Sequence, residues 1–198
     1  MMHNAPSLTA RSFMSLKHVL LMVLKKQSAT GYGITKWFDG PLGYFWDTSH
    51  QRVYRALAKL HEDGWVRFDV VPQQGKPDKK VYEVTPLGEK ALNDWMLKPL
   101  PLPQVNEPYL VKLFSADLRY IDALIAEARA RLADHEALLA DYQKVEQMYF
   151  ADSEQTPEQR IMYLTLKRGL IYEEGNIRWA SEALATLTKI DEELKKNG

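Results

Sequence analysis

From Pro157 to Lys195, seam residues recur every 3.5 positions: Tyr163, Leu166, Leu170, Glu173, Ile177, Ala180, Leu184, Leu187, Asp191 and Leu194. That period, with two acidic interruptions, is coiled-coil patterning. Thr156, Pro157 and Gln159 supply the start signals of a helix. A helix of this span is about 58 Å long at 1.5 Å per residue, and a small domain cannot cover it. The preceding segment offers one partner: Ile121, Ile125, Ala128, Leu132, His135, Leu139 and Tyr142 alternate steps of four and three. The second partner expected is another copy of the chain. Leu166, Leu170, Ile177, Ala180, Leu184, Leu187 and Leu194 are the residues expected at that dimer interface.

The chain has 198 residues, which suits one or two domains. The sharpest break is Pro99-Leu100-Pro101-Leu102-Pro103, where prolines exclude helix and central strand. The expected division is residues 1–98, a linker over 99–108, and a helical dimerisation domain over 109–198. With 45% hydrophobic and 26% charged residues the chain reads as globular. It has no cysteine, which excludes disulfides, thiolate metal sites and cysteine nucleophiles. The longest apolar run, Val19 to Leu24, is far short of the roughly 20 residues a membrane span needs. Met1 to Ser15 lacks the apolar core of an export signal, so a cytoplasmic location is expected, with no membrane partner.

Residues 1–98 read as helix, helix, helix, hairpin, helix. Ser15 is placed to cap a first helix carrying Val19, Leu20, Val23 and Leu24. Gly31-Tyr32-Gly33 reads as a turn before a second helix with Ile34, Trp37 and Phe38. Thr48 with Gln51 reads as a capping box for a third helix, which Gly64 ends. Residues 65–71 and 80–84 alternate like strands around the tip 73–78. Thr85 and Pro86 then open a fourth helix with Leu87, Leu92 and Trp95. Trp37, Phe38, Tyr44, Phe45 and Trp46 are expected to fill the core.

On the third helix Val53, Ala56, Leu57 and Leu60 form the apolar stripe. Gln51 and Arg55 lie opposite it, with Arg52 and Lys59 beside them. Arginine reads guanine and glutamine reads adenine in a major groove, and a helix N-terminus favours phosphate. The hairpin that follows carries Lys76, Lys79 and Lys80, within reach of phosphates or a minor groove. The net charge of zero conceals an uneven division. Residues 1–99 hold 14 Lys and Arg against 9 Asp and Glu, and residues 100–198 hold 12 against 17. The basic half suits nucleic acid, and the acidic half should avoid it.

Two stretches carry a family resemblance. One runs from Tyr32-Gly33-Ile34 through Ser49-His50-Gln51-Arg52-Val53-Tyr54-Arg55 to Gly64. The other is Gly75-Lys76-Pro77-Asp78-Lys79-Lys80-Val81-Tyr82-Glu83-Val84-Thr85-Pro86, with Gly88, Leu92 and Trp95 after it. Both resemble PadR-family transcriptional regulators, and the Ser-His-Gln-x-Val-Tyr-Arg form is similar to the AphA-like, virulence-activator branch. The resemblance implies a mainly α fold, with an N-terminal winged helix-turn-helix and an antiparallel, coiled-coil-like C-terminal dimerisation domain. It implies a homodimer on double-stranded DNA, more often a repressor, acting on a near-palindromic operator and responsive to a small-molecule effector. It places DNA contacts on Ser49, His50, Gln51, Tyr54 and Arg55, on Lys76, Lys79 and Lys80 of the wing, and on Tyr32 as a phosphate contact. Arg52 and Lys59 join them on helix geometry alone, and partial core packing is an equal reading for Tyr54.

The rival reading is a winged-helix adaptor that binds protein without sequence-specific DNA recognition. No P-loop, H-E-x-x-H, G-x-S-x-G or G-x-G-x-x-G occurs, so no enzyme and no cofactor are expected. His50 and His61 share a helix side but stand three turns apart, too far to bind one metal. His135 on the apolar seam reads as a hydrogen-bonded interfacial histidine, with a pH or ligand sensor as the alternative.

Overall fold

The computed structural model describes residues 16–40, 43, 46–75, 78–102, 106–151 and 154–197. The chain forms two compact units, Met1–Pro103 and Gln104–Gly198. The cap expected of Ser15 and the packing expected of Tyr44 and Phe45 lie outside the described residues.

The first unit contains α1 (Leu16–Lys26), β1 (Ala29–Thr30), α2 (Gly31–Phe38), α3 (His50–Glu62), β2 (Val66–Val71), β3 (Lys79–Val84) and α4 (Pro86–Met96). Its core is built from the apolar stripes of the helices. Leu20, Leu21 and Val23 of α1, Ile34 of α2, and Val53, Leu57 and Leu60 of α3 are wholly buried. Each such side chain contributes about 1.5–3 kcal/mol relative to leaving it in water. Val66, Tyr82 and Leu92 close this core from the sheet and from α4.

Two local readings are corrected. Gly31-Tyr32-Gly33 is the first turn of α2, because the Thr30 hydroxyl accepts from the Gly33 N–H at 3.0 Å and starts the helix there. The cap of α3 is Ser49, which has extended backbone and whose hydroxyl accepts from the Arg52 N–H at 3.4 Å. Thr48 is one residue too early. Among the described residues its buried hydroxyl has no hydrogen-bond partner.

Asp63 and Gly64 end α3, with Gly64 at φ +72°, a conformation that glycine adopts without strain. β2 and β3 form an antiparallel hairpin registered from Val66↔Val84 to Val71↔Lys79. β1 adds Ala29↔Tyr82 and Thr30↔Val81, giving the order β1-β3-β2. The Thr85 hydroxyl caps α4 through the Gly88 N–H at 3.1 Å and donates to the Gly64 carbonyl at 2.7 Å. One threonine thus joins the end of α3 to the start of α4.

The second unit contains α5 (Pro108–Phe114), a 3-10 turn (Leu118–Tyr120), α6 (Ile121–Tyr149) and α7 (Pro157–Asn197). α6 and α7 run antiparallel: Glu146 meets Tyr163, His135 meets Glu173, and Ile121, Leu124 and Ala128 cluster with Leu187. Tyr109 of α5 is wholly buried and donates to the Leu124 carbonyl at 2.9 Å. Gly169 leaves room for the Tyr142 ring, which a Cβ there would meet at 2.8 Å.

The seam of α7 is an intrachain one. Leu170, Ala180 and Leu187 are buried within a single chain, Leu184 packs on the same cluster, and Leu166 and Ile177 share this face half-buried. α6 of the same chain packs along this face. Leu194 is exposed.

Candidate nucleic-acid interface

α2 and α3 form the helix-turn-helix, and their close approach depends on a missing side chain. A Cβ on Gly31 would stand 2.3 Å from the Tyr54 ring. Tyr54 is 48% exposed, so one edge of its ring packs on Gly31 and the other remains accessible. The partial packing expected of this residue is therefore present, beside an exposed ring edge.

The N-terminal half of α3 presents His50, Gln51, Arg52, Tyr54 and Arg55 to solvent. Val53 and Leu57 anchor the opposite side in the core. The Arg55 guanidinium donates to the Gln51 carbonyl at 3.4 Å, which lays its side chain back along the helix. His50 Nε2 lies 3.4 Å from Asp39, the residue that closes α2. The hydrogen bond from His50, then that from Lys36, holds the Asp39 carboxyl below its ordinary range. Lys36 in turn lies over the Tyr32 ring, 5.1 Å from its centre, and its pKa is raised, first by Asp39 and then by Tyr32.

Lys36 and Asp39 were absent from the expected site. They link Tyr32 to His50 across the two helices. The signal available for them was weak: a lysine and an aspartate three apart at a helix end.

Lys59 stands apart from the others. It lies on the last turn of α3, 3.2 Å from Glu62 and 3.0 Å from Asp63. Asp63 also binds Lys17 at 2.5 Å. This end of the helix is a mixed-charge cluster. On the hairpin, Lys79 and Lys80 are exposed at the start of β3, and the Lys80 ammonium lies 4.3 Å from the centre of the Phe68 ring. Arg67 is paired with Glu83 across the ladder. Lys76 lies outside the described residues. His61 bonds the Val66 carbonyl at 3.2 Å and packs on Phe68, so it ties α3 to the hairpin.

A helix-turn-helix, a lysine-bearing β-hairpin and a long antiparallel helical arm define a winged-helix transcriptional regulator. The comparisons agree. Residues 20–94 match the transcriptional regulator PadR-like family, and residues 105–188 match the virulence activator alpha C-terminal family. A probable transcriptional regulator of Mycobacterium tuberculosis is 32% identical over 185 residues, 88% of this chain and 98% of that one. The Vibrio cholerae virulence activator AphA superposes with a TM-score of 0.75 at 36% identity, over 89% of this chain and 99% of its own. Bacillus subtilis PadR in complex with operator DNA gives 0.72 at 30% identity, over 87% and 98%. The chain belongs to the PadR-like family of transcriptional regulators. No helix among the described residues is long and apolar enough to cross a membrane.

Proposed function

We propose that the protein is a cytoplasmic, homodimeric, sequence-specific DNA-binding regulator that acts by occupancy of its operator and catalyses nothing. The observation that carries this reading is the exposed N-terminal face of α3, whose polar side chains project opposite a fully anchored apolar stripe. The likeness to an operator-bound PadR over 87% of the chain supports it. In this reading α3 enters the major groove. Gln51, Arg52 and Arg55 reach base edges, and Ser49, His50 and Tyr54 set the approach of the helix. Tyr32 and the wing lysines Lys76, Lys79 and Lys80 hold the flanking phosphates. Lys59, held by two carboxylates, adds little. Repression is the sign we infer, since Bacillus subtilis PadR is a negative regulator. A small aromatic acid is the effector class to try first, since that protein also forms a complex with p-coumaric acid.

The test is selection of fragmented genomic DNA by the purified protein, then salt titration of the best fragment. One enriched inverted repeat, bound by two chains with a steep salt dependence, is the expected result. No enrichment, with or without phenolic acids, would overturn the reading and leave the winged helix as a protein-binding surface.

A further inference from the structure

An acidic residue, Asp39, stands on the helix-turn-helix beside the first residue of α3. A carboxylate on a surface that meets phosphates repels them, and at a helix C-terminus it also opposes the macrodipole. His50 occupies the other disfavoured end. It is a basic residue in the first turn of α3, a turn that carries no acidic residue. The two placements answer each other. Asp39 Oδ1 lies 3.4 Å from His50 Nε2, and Asp39 Oδ2 lies 3.3 Å from Lys36 Nζ. One carboxylate thus uses both oxygens to hold a side chain from each helix. Lys36 is held a second time, by the face of the Tyr32 ring. Among the described residues, His50 and Lys36 are the charged groups that act on Asp39. All three side chains are about half exposed, and exposed ion pairs add little to stability. Folding alone gives this trio no reason to exist.

We propose that Asp39 is a positioning residue for DNA binding: it fixes His50 and Lys36 side by side across the helix-turn-helix, so that α3 enters the groove at one angle. The inference rests on the DNA-binding reading above and deepens it. Asp39 touches no DNA itself. Lysine and histidine side chains lose rotamer freedom when they settle on a phosphate, and holding them beforehand removes that loss from binding. Lys36 then reaches the backbone together with Tyr32, and His50 sets the start of α3 at the groove edge. Only a correctly seated helix gains from this arrangement, so the benefit falls on the preferred site. On an unrelated duplex the carboxylate acts only as a repelling charge.

Positioning and repulsion predict opposite signs. Fluorescence anisotropy with the full-length protein compares the fragment enriched by selection with a scrambled duplex of the same length. Asp39→Asn keeps the size of the side chain and removes its charge. It should weaken binding of the enriched fragment by about fivefold and leave the scrambled duplex equal or tighter, with the thermal midpoint unchanged. In a chain already carrying Lys36→Gln and His50→Gln, the same change should weaken nothing further. Asp39→Glu retains the carboxylate and should restore binding to within about twofold of the unaltered chain. Equal or tighter binding of both duplexes by Asp39→Asn would overturn the proposal and leave the DNA-binding reading intact. So would a loss that persists without Lys36 and His50, or Asp39→Glu as weak as Asp39→Asn. A loss on both duplexes alike, with a lowered thermal midpoint, would make Asp39 a folding residue instead. If the unaltered chain enriches no fragment, the DNA-binding reading falls as well.

Discussion

Arg55 and Lys80 are both exposed cations, yet their surroundings assign them different work. Arg55 sits on a helix whose other side is fixed in the core, so its guanidinium is delivered to a defined place. Arg55→Ala should cost roughly ten- to a hundredfold in affinity for the preferred site and relax discrimination at one base pair. Lys80 lies on the wing over Phe68. Lys80→Ala should weaken preferred and scrambled sites alike and reduce the salt slope by about one. Anisotropy titrations at several salt concentrations separate the two, and an equal loss of specificity from both would refute the division of roles. His18 is one residue that ties stability to pH. It stacks on Trp95 at 4.8 Å, and burial, then Lys17, then Lys98 lower its pKa below the ordinary 6.5. Between the folded and unfolded values the unfolded chain binds more protons, so stability rises with pH. The contribution is complete above about 6.5 and is lost as pH falls through the folded value. Thermal unfolding should therefore show a decline from pH 7 to 5.5 that His18→Phe flattens. Equal slopes would clear His18.

At the scale of elements, stability depends on where backbones approach one another and where buried charge finds a partner. α4 starts so close to the residue preceding β2 that a Cβ on Gly88 would stand 2.0 Å from the Trp65 carbonyl oxygen. That atom also accepts the Thr85 N–H at 3.0 Å, so neither side can move alone. Gly88→Ala should cost about 3 kcal/mol in urea unfolding, at the upper end for overpacking. A cost under about 1 kcal/mol would mean the helix has freedom to shift. Between α6 and α7, the buried Glu173 accepts from or pairs with His135 Nδ1 at 2.6 Å. His135→Leu leaves that carboxylate without its partner and should cost about 3 kcal/mol. The double variant His135→Leu with Glu173→Leu should recover most of the loss, since an apolar pair suits this seam. If the double change is as costly as the sum, the two residues act independently.

At the scale of the whole molecule, DNA recognition is a matter of symmetry. Two recognition helices on a dimer address half-sites about one helical turn apart. Five base pairs inserted between the half-sites would turn one to the opposite side of the duplex, and ten would bring it back. Footprinting should show two-chain binding abolished by five and partly restored by ten. Equal tolerance of both insertions would mean that each chain binds alone. The uneven charge fits this arrangement: residues 1–99 carry a net +5 and residues 100–198 a net −5, which favours contact through the first part and repels DNA from the second.

Local chemistry made much of the fold legible. The 3.5-residue seam announced α6 and α7, Thr85 and Pro86 announced α4, Gly64 ended α3, and alternation over 80–84 announced β3. These are signals that neighbours in the chain can set by themselves. The exposed residues of α3 were readable for the same reason, because an apolar stripe determines the face opposite it. Tertiary structure decided the rest. β1 is two residues long and exists only because Tyr82 and Val81 offer it a ladder. The first turn of α2 contains two glycines that local propensity reads as a break, and Thr30 and the Tyr54 ring make them helical. Lys36 and Asp39 join the site because α2 and α3 meet there, eleven residues apart for Asp39 and His50. The periodic pattern established that α7 buries a seam but not against what. The fold fills that seam with α6 of the same chain, because a pattern records which side of a helix is apolar, while only packing in three dimensions selects its partner.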